Sequence, residues 1–159
     1  MLISRHSPSY LLVSCLLTFG PAHPLLAAEP TGFRVPAGFE VSLYAGDDLA
    51  HDIHSMTTDH LGRIVVGGKG WVKVLHDADG DGKAERATVF TPFPRSGAQG
   101  LYVDAEGLVV SGDQGVRRWR DLDADDQADG EPELLIRTER DGEHTAHAIL
   151  KGPDGWLYL

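Results

Sequence analysis

Short runs of alternating apolar and polar residues occur along the chain, separated by turns rich in aspartate and glycine. In the run Trp71–Leu75, Val72 and Val74 occupy alternate positions, as expected for a strand with one buried face. The turn Asp77–Gly82 follows, because Asp-Gly pairs accept backbone angles that β-branched residues do not. Ala87–Phe90 then resumes an extended pattern. This stretch therefore predicts strand, acidic turn and strand.

The same alternation predicts strands elsewhere, and helical spacing is absent outside the N-terminal segment. The further predicted strands are Phe39–Tyr44, His54–Thr58, Ile64–Val66, Ala98–Val103, Leu108–Ser111, Val116–Arg120, Glu133–Arg137, His147–Leu150 and Trp156–Leu159. The predicted fold class is all-β.

The pattern repeats along the chain. The acidic run that begins at Asp77 recurs from Asp121, 44 residues later. The turn glycines Gly62, Gly107 and Gly155 lie 45 and 48 residues apart. A period of roughly 40–50 residues built from short strands is typical of β-propeller blades. We expect Trp71, Trp119 and Trp156, at repeat positions, to pack between blades.

The repeat predicts the N-terminal blades, about two and a half of them, of an incomplete β-propeller. The blade repeats are predicted at about 39–92, 93–138 and, truncated, 139–159. Closing a propeller takes about four to eight blades. We therefore expect the chain to be the N-terminal part of a longer protein, or a truncated reading frame, and to be inactive alone.

Residues 1–28 have the pattern of a signal peptide. Arg5 supplies the positive charge, Tyr10–Phe19 is mainly apolar, and Ala27 and Ala28 are small residues before Glu29. This predicts a mature domain of residues 29–159, exported to the periplasm or the exterior, with no membrane span after cleavage. A retained N-terminal anchor is the competing interpretation. The only cysteine, Cys15, lies in this segment, so the mature chain would have no disulfide.

The composition of the 159-residue chain is globular, with 42% hydrophobic residues, and acidic, with 24 Asp and Glu against 14 Lys and Arg. Nucleic-acid binders usually carry a basic face, so a nucleic-acid partner is not expected.

The two acidic runs have the spacing of carboxylates that surround a hard cation. Asp77, Asp79 and Asp81, followed by Gly82, match the first half of an EF-hand loop and predict a calcium site. Position twelve, where an EF-hand has a bidentate glutamate, is Thr88, and Glu85 lies at position nine. The second copy predicts a weaker site, with Asp126 in place of the glycine; its carboxylates are Asp121, Asp123 and Asp125. The alternative is that both runs are solvated hairpin turns.

The segment from Glu143 to Tyr158 resembles a known family. His144 lies nine residues before the Pro-Asp-Gly turn at Pro153. This resembles the segment around the general base of quinoprotein sugar dehydrogenases, the glucose/sorbosone dehydrogenase type of six-bladed propeller. From Thr31 to Leu159 the chain resembles a third to a half of such a domain. In that family an arginine usually follows the histidine after a few small residues. Here the stretch after the histidine ends at Ala148 and contains no arginine.

The resemblance implies a function. In that family pyrroloquinoline quinone accepts hydride from a sugar while a histidine removes the hydroxyl proton, and calcium polarises the quinone oxygens. His144 is the matching base, and His147 is a competing candidate. Gln99 is similar to a glutamine on the cofactor side. A sugar or other small molecule would be the substrate, and a cytochrome a possible electron acceptor. The alternative is a non-catalytic propeller module that binds partners or glycans.

Overall fold

The computed structural model describes residues 32–140 and 146–159, and these residues form an all-β structure of antiparallel strands. The first sheet has the order β1 (Ser55–Thr58), β2 (Ile64–Gly68), β3 (Trp71–His76), β4 (Arg86–Thr91). The second has the order β5 (Gly100–Asp104), β6 (Gly107–Gly112), β7 (Gly115–Arg120), β8 (Asp129–Arg137). A hairpin of β9 (Leu150–Lys151) and β10 (Leu157–Tyr158) follows. The predicted signal peptide, residues 1–28, lies outside the described residues.

The two sheets have the same connectivity, and the repeated sequence motifs occupy the same places in each. Both acidic runs connect the third strand to the fourth, β3 to β4 and β7 to β8. The turn glycines Gly62 and Gly155 lie between the first and second strands of their repeats, and Gly107 is the first residue of the second strand, β6. The alternation of the sequence thus predicted these strands correctly, to within a few residues at their ends.

One predicted strand is absent. Phe39–Tyr44 alternates in sequence but forms no strand, and Phe39 and Leu43 are 73% and 62% exposed. A strand needs a hydrogen-bonded neighbour, but among the described residues this segment pairs with no strand. Its carbonyl at Tyr44 accepts one hydrogen bond, from the amide of Ala84 in the loop between β3 and β4 (2.7 Å). Tyr44 instead packs over the first sheet.

The main core lies between the two four-stranded sheets. Each strand turns alternate residues toward it, so Val65 faces the core between the sheets whereas Val66 faces outward. The inter-sheet cluster comprises Val65, Val72, Val74, Phe90, Ala98, Leu101, Leu108, Val110 and Trp119. Burial of these side chains is the main force that holds the sheets together.

Each sheet is also covered on its other face. On the first sheet, Ala50, Val66 and Leu75 form a cluster beneath the segment that contains Tyr44. On the second, Ile149 from the third repeat is buried against Val109 and Val116. The second sheet therefore packs against the first sheet on one face and against the terminal hairpin region on the other.

The tryptophans differ in their packing. Trp119 belongs to the inter-sheet core and stacks on Phe93 with ring centroids 5.8 Å apart, and Trp71 packs against the outer cluster of the first sheet. Packing between the sheets is thus confirmed for Trp119. The prediction that Trp156 also packs in this way is wrong within the described residues, because that side chain is 73% exposed.

Asp113, in the tight turn between β6 and β7, holds the loop before β5 in place. Its carboxylate accepts hydrogen bonds from the backbone amides of Arg95 (2.9 Å) and Ser96 (2.8 Å), and its own amide donates to the Ser96 hydroxyl (2.7 Å). Burial opposes ionisation, but these hydrogen bonds outweigh it and hold the pKa of Asp113 below its usual 3.8.

This interaction makes part of the folding stability dependent on pH. Because the pKa is lowered in the folded state, the contribution of Asp113 is complete above pH 3.8 and is lost as the pH falls through the lower, folded value. We expect Asp113→Asn to remove that part of the acid sensitivity. The measurement is urea unfolding of wild type and variant between neutral and acid pH. Parallel pH profiles for the two proteins would contradict the assignment.

Candidate functional site: two acidic loops

The first acidic loop is folded around one carboxylate. Asp77, at the end of β3, accepts hydrogen bonds from the backbone amides of Gly80 (2.7 Å), Asp81 (3.1 Å) and Gly82 (2.9 Å). Gly80 and Gly82 both have positive φ, 74° and 86°, which glycine adopts at little cost. The chain therefore curls around the Asp77 carboxylate, and the following side chains converge on it.

Four carboxylates come together in this loop. Asp77, Asp79, Asp81 and Glu85 each offer an oxygen, and these oxygens lie within 4.8 Å of one another. Glu85 is held by its own hydrogen bond, accepted from the amide of Ala78 (2.9 Å). Oxygens at this separation match a cation that binds at about 2.3–2.6 Å from each ligand, as Ca²⁺ does. The first loop can thus hold a hard cation.

The fourth carboxylate comes from position nine of the loop. The residue at position twelve, Thr88, lies in β4, where its hydroxyl is 3.0 Å from Nε2 of His76. The loop is therefore shorter than an EF-hand, and Glu85 supplies the carboxylate that Thr88 does not. The sequence contains this signal, because position nine of the second copy, Asp129, is also acidic.

The second loop repeats most of these backbone hydrogen bonds with different residues. Asp121 accepts from the amides of Asp125 (3.2 Å) and Asp126 (2.9 Å), and Asp129 accepts from the amide of Leu122 (2.7 Å). The two glycines of the first loop are replaced by Ala124 and Asp126, which still have positive φ of 60° and 66°. The left-handed backbone is thus kept without glycine, at a cost of about 1 kcal/mol per residue.

The carboxylates that converge in the second loop are Asp121, Asp123 and Asp129. Asp125, predicted from the sequence as a ligand, lies outside this group, because its carboxylate accepts two hydrogen bonds from Gln127, at 2.8 Å each. Asp129 takes its place. The set of three carboxylates is smaller than in the first loop, which makes the second the weaker candidate.

The crowding of negative charge affects ionisation. The charge of Asp125 raises the pKa of the Asp123 carboxyl, with smaller contributions from desolvation and from Asp129. A bound cation would reverse this effect, because it favours the ionised carboxylates. The fold of the second loop therefore holds negatively charged carboxylates close together, and their repulsion is unfavourable.

Asp126 has a different role from the glycine that it replaces. Its carboxylate forms two hydrogen bonds with Arg63 of the first sheet, at 2.8 and 2.7 Å. Arg63 also donates through Nε to Asp59 (2.7 Å), and His76 lies 3.7 Å from Asp126. The hydrogen bond from Arg63 is the main cause of the lowered pKa of Asp126. The second acidic loop is thus clamped onto the first sheet.

His76 lies beneath this clamp and is uncharged near neutral pH. Burial lowers its pKa from 6.5, and the positive charge of Arg86 lowers it further. His76 is 6% exposed and is bonded to Thr88, so its role here is packing and hydrogen bonding.

Gln99 and His147, two further predicted site residues, do not belong to the acidic loops. Gln99 is half-buried just before β5, and its amide nitrogen is 3.4 Å from Nδ1 of His54. Gly97 has a φ of 114°, which favours glycine, and a Cβ there would lie 2.5 Å from the same His54 nitrogen. His144, the predicted base, lies outside the described residues, and the competing His147 is exposed before β9.

The fold and this site define an all-β domain with two acidic loops at equivalent positions of repeated sheets. The sequence model of a family described as a domain of unknown function (DUF7133) matches residues 27–159. The match covers most of the chain, so the protein belongs to the DUF7133 family. Comparisons with curated proteins and with solved structures found no match. Among the described residues, no helix is long and apolar enough to cross a membrane.

Proposed function

We propose that the chain forms part of an exported β-propeller and that its acidic loops bind Ca²⁺. The propeller is supported by the two four-stranded sheets of identical strand order, whose first strands, β1 and β5, contact one another. It is also supported by the hairpin that starts a third unit against the far face of the second sheet. A closed ring takes about four to eight such sheets, so the proposal requires further sheets beside those described.

The four convergent carboxylates of the first loop are the observation that carries the calcium proposal. Among the described residues none of the four forms an ion pair, and the backbone amides that bind them orient the carboxylates without neutralising them. Export through the predicted signal segment would expose the loop to millimolar calcium, the range in which extracellular modules bind at about 10⁻⁴–10⁻³ M. Bound Ca²⁺ would brace the connection between β3 and β4.

We expect the full chain to bind Ca²⁺ at the first loop and to gain thermal stability from it. Asp79→Asn and Glu85→Gln each remove one ligand charge and should weaken binding about tenfold. The measurement is calorimetric titration with CaCl₂ into chelator-treated protein, together with Tm with and without the ion. Asp47→Asn, an exposed acidic residue outside both loops, is the matched control. Equal affinities for all three variants and wild type would refute this site.

We further propose that the complete propeller is a sugar dehydrogenase that uses pyrroloquinoline quinone. The resemblance around His144 supports this, with Gln99 on the cofactor side. The described residues fit the quinone only in part. The cofactor carries several carboxylates, whereas Gln99 and its neighbour His54 offer no fixed positive charge. The cations that hold the quinone, and a cytochrome as electron acceptor, would have to come from other parts of the assembly.

The test of this activity is dye reduction by a longer natural protein that contains the chain, with aldoses, the quinone and calcium. We expect turnover that His144→Ala abolishes and that His147→Ala retains, and no turnover from the present chain. A folded protein without dye reduction would instead favour a non-catalytic module for partner or glycan binding.

A further inference from the structure

A cleft of about 1000 Å³ opens between the two four-stranded sheets, at the end where the second acidic loop lies. Its floor is apolar and is formed by residues at the margin of the inter-sheet core, among them Val65, Val74, Phe90 and Leu108. Leu122, on the second acidic loop, lines one side of the cleft and is 77% exposed. The volume is at the upper end of the range for ligand-binding pockets, about 300–1,000 Å³.

Two arginine-centred clusters lie along the cleft, and each has one more negative than positive charge. On one side Arg63 is shared by Asp59 and Asp126. On the other, Arg118 is shared by Asp104 (3.0 Å) and Glu106 (2.6 Å). A single guanidinium balances only one of two carboxylates, so each cluster keeps a net charge of −1.

These charges are weakly screened by solvent. The side chains of Asp59, Asp126 and Asp104 are 6%, 20% and 13% exposed. Partly buried charges act on a ligand more strongly than exposed ones do, because less water and salt lie between. Asp121 and Arg120 also line the cleft with opposite charges, and Arg120 is paired with Glu133, which does not line it. The cleft is thus apolar at its floor and negative at its rim.

We infer that this cleft binds a segment of a partner protein in which apolar side chains alternate with lysine or arginine. The apolar side chains would contact the floor and Leu122, and the cationic groups would lie beside the two clusters. Charge complementarity favours this occupant. The negative rim would repel an acidic segment, and it would not attract a neutral polar one. The long aliphatic stems of lysine and arginine also suit a site with an apolar floor beneath a charged rim.

The probe is a short labelled peptide of alternating lysine and leucine, titrated into the full chain and followed by fluorescence anisotropy. Two comparison peptides replace lysine by glutamate or leucine by serine. We expect the lysine–leucine peptide to bind, with affinity that falls as salt is raised, and both comparison peptides to bind at least about tenfold more weakly. Equal binding of the lysine–serine peptide would reduce the effect to general charge attraction and overturn the site.

Variants then locate the binding. Glu106→Gln and Leu122→Ser change exposed side chains at the cleft, and each should weaken binding about fivefold. Glu139→Gln and Leu43→Ser make the same changes at exposed positions that do not line the cleft and should leave affinity unchanged. Equal effects from the two pairs, or none from the cleft pair, would overturn the inference. The titrations are made in excess chelator, so failure of the calcium proposal does not alter this result.

Discussion

Replacement of Arg63 by alanine is expected to lower the free energy of unfolding by about 3 kcal/mol, because it leaves two partly buried carboxylates without their cation. The side chains of Asp59 and Asp126 are 6% and 20% exposed. Asp59 also accepts the amides of Leu61 and Arg63, so it cannot turn toward water without loss of the turn. The measurement is urea unfolding at neutral pH.

A matched change elsewhere separates this clamp from ordinary surface ion pairs. Arg120 pairs with Glu133 at 3.0 Å, but the two side chains are 48% and 53% exposed. Arg120→Ala should therefore cost less than about 1 kcal/mol. Arg63→Lys should fall between wild type and alanine, because an ammonium group keeps the charge but not the paired hydrogen bonds. If Arg63→Ala cost no more than Arg120→Ala, the clamp would not contribute to stability.

Gly100→Ala is expected to destabilise the contact between the second sheet and the third repeat by about 3 kcal/mol or more. A Cβ at this position would lie 1.8 Å from the carbonyl oxygen of His147 and 2.9 Å from its carbonyl carbon. Both are backbone atoms, which cannot move as a flexible side chain can. The added methyl group would therefore push the segment before β9 off the sheet and expose Ile149, which is buried there.

The effect of Gly100→Ala should be local as well as large. Hydrogen exchange should increase in β9 and β10 more than in the first sheet. Gly62→Ala is the control, because its φ of 79° carries backbone strain but no atom lies within 4 Å of the added Cβ. It should cost about 1 kcal/mol without selective exposure of the terminal hairpin. Equal exchange throughout both variants would show that Gly100 does not hold the third repeat.

Alternation identified β3 correctly, because Val72 and Val74 face one core while Trp71 and Leu75 face the other. The same alternation failed at Phe39–Tyr44. Period-two patterning predicts which face a strand would bury, but a strand also requires a hydrogen-bonded neighbour. Among the described residues, that segment pairs with no strand.

In the candidate site, too, the sequence predicted local features correctly and missed those that depend on hydrogen-bond partners. Asp77, Asp79 and Asp81 were found from spacing, because a carboxylate that caps nearby amides is a local feature. Asp125 was chosen on equal spacing, yet its carboxylate is bound by Gln127, and Asp129 converges with Asp121 and Asp123 instead. Side chains of similar spacing differ in their hydrogen-bond partners, and spacing alone does not reveal these.

The all-β class, the repeated strand–turn–strand units and the positions of both acidic loops could all be predicted from the sequence. All of these follow from residues close together in the chain, whose backbone preferences and alternation act locally. The clamp between Asp126 and Arg63, 63 residues earlier, and the acidic cleft with an apolar floor between the two sheets are visible only in the folded chain. Such contacts depend on how whole sheets pack, and the burial that drives packing is not specific to any pair of positions along the chain.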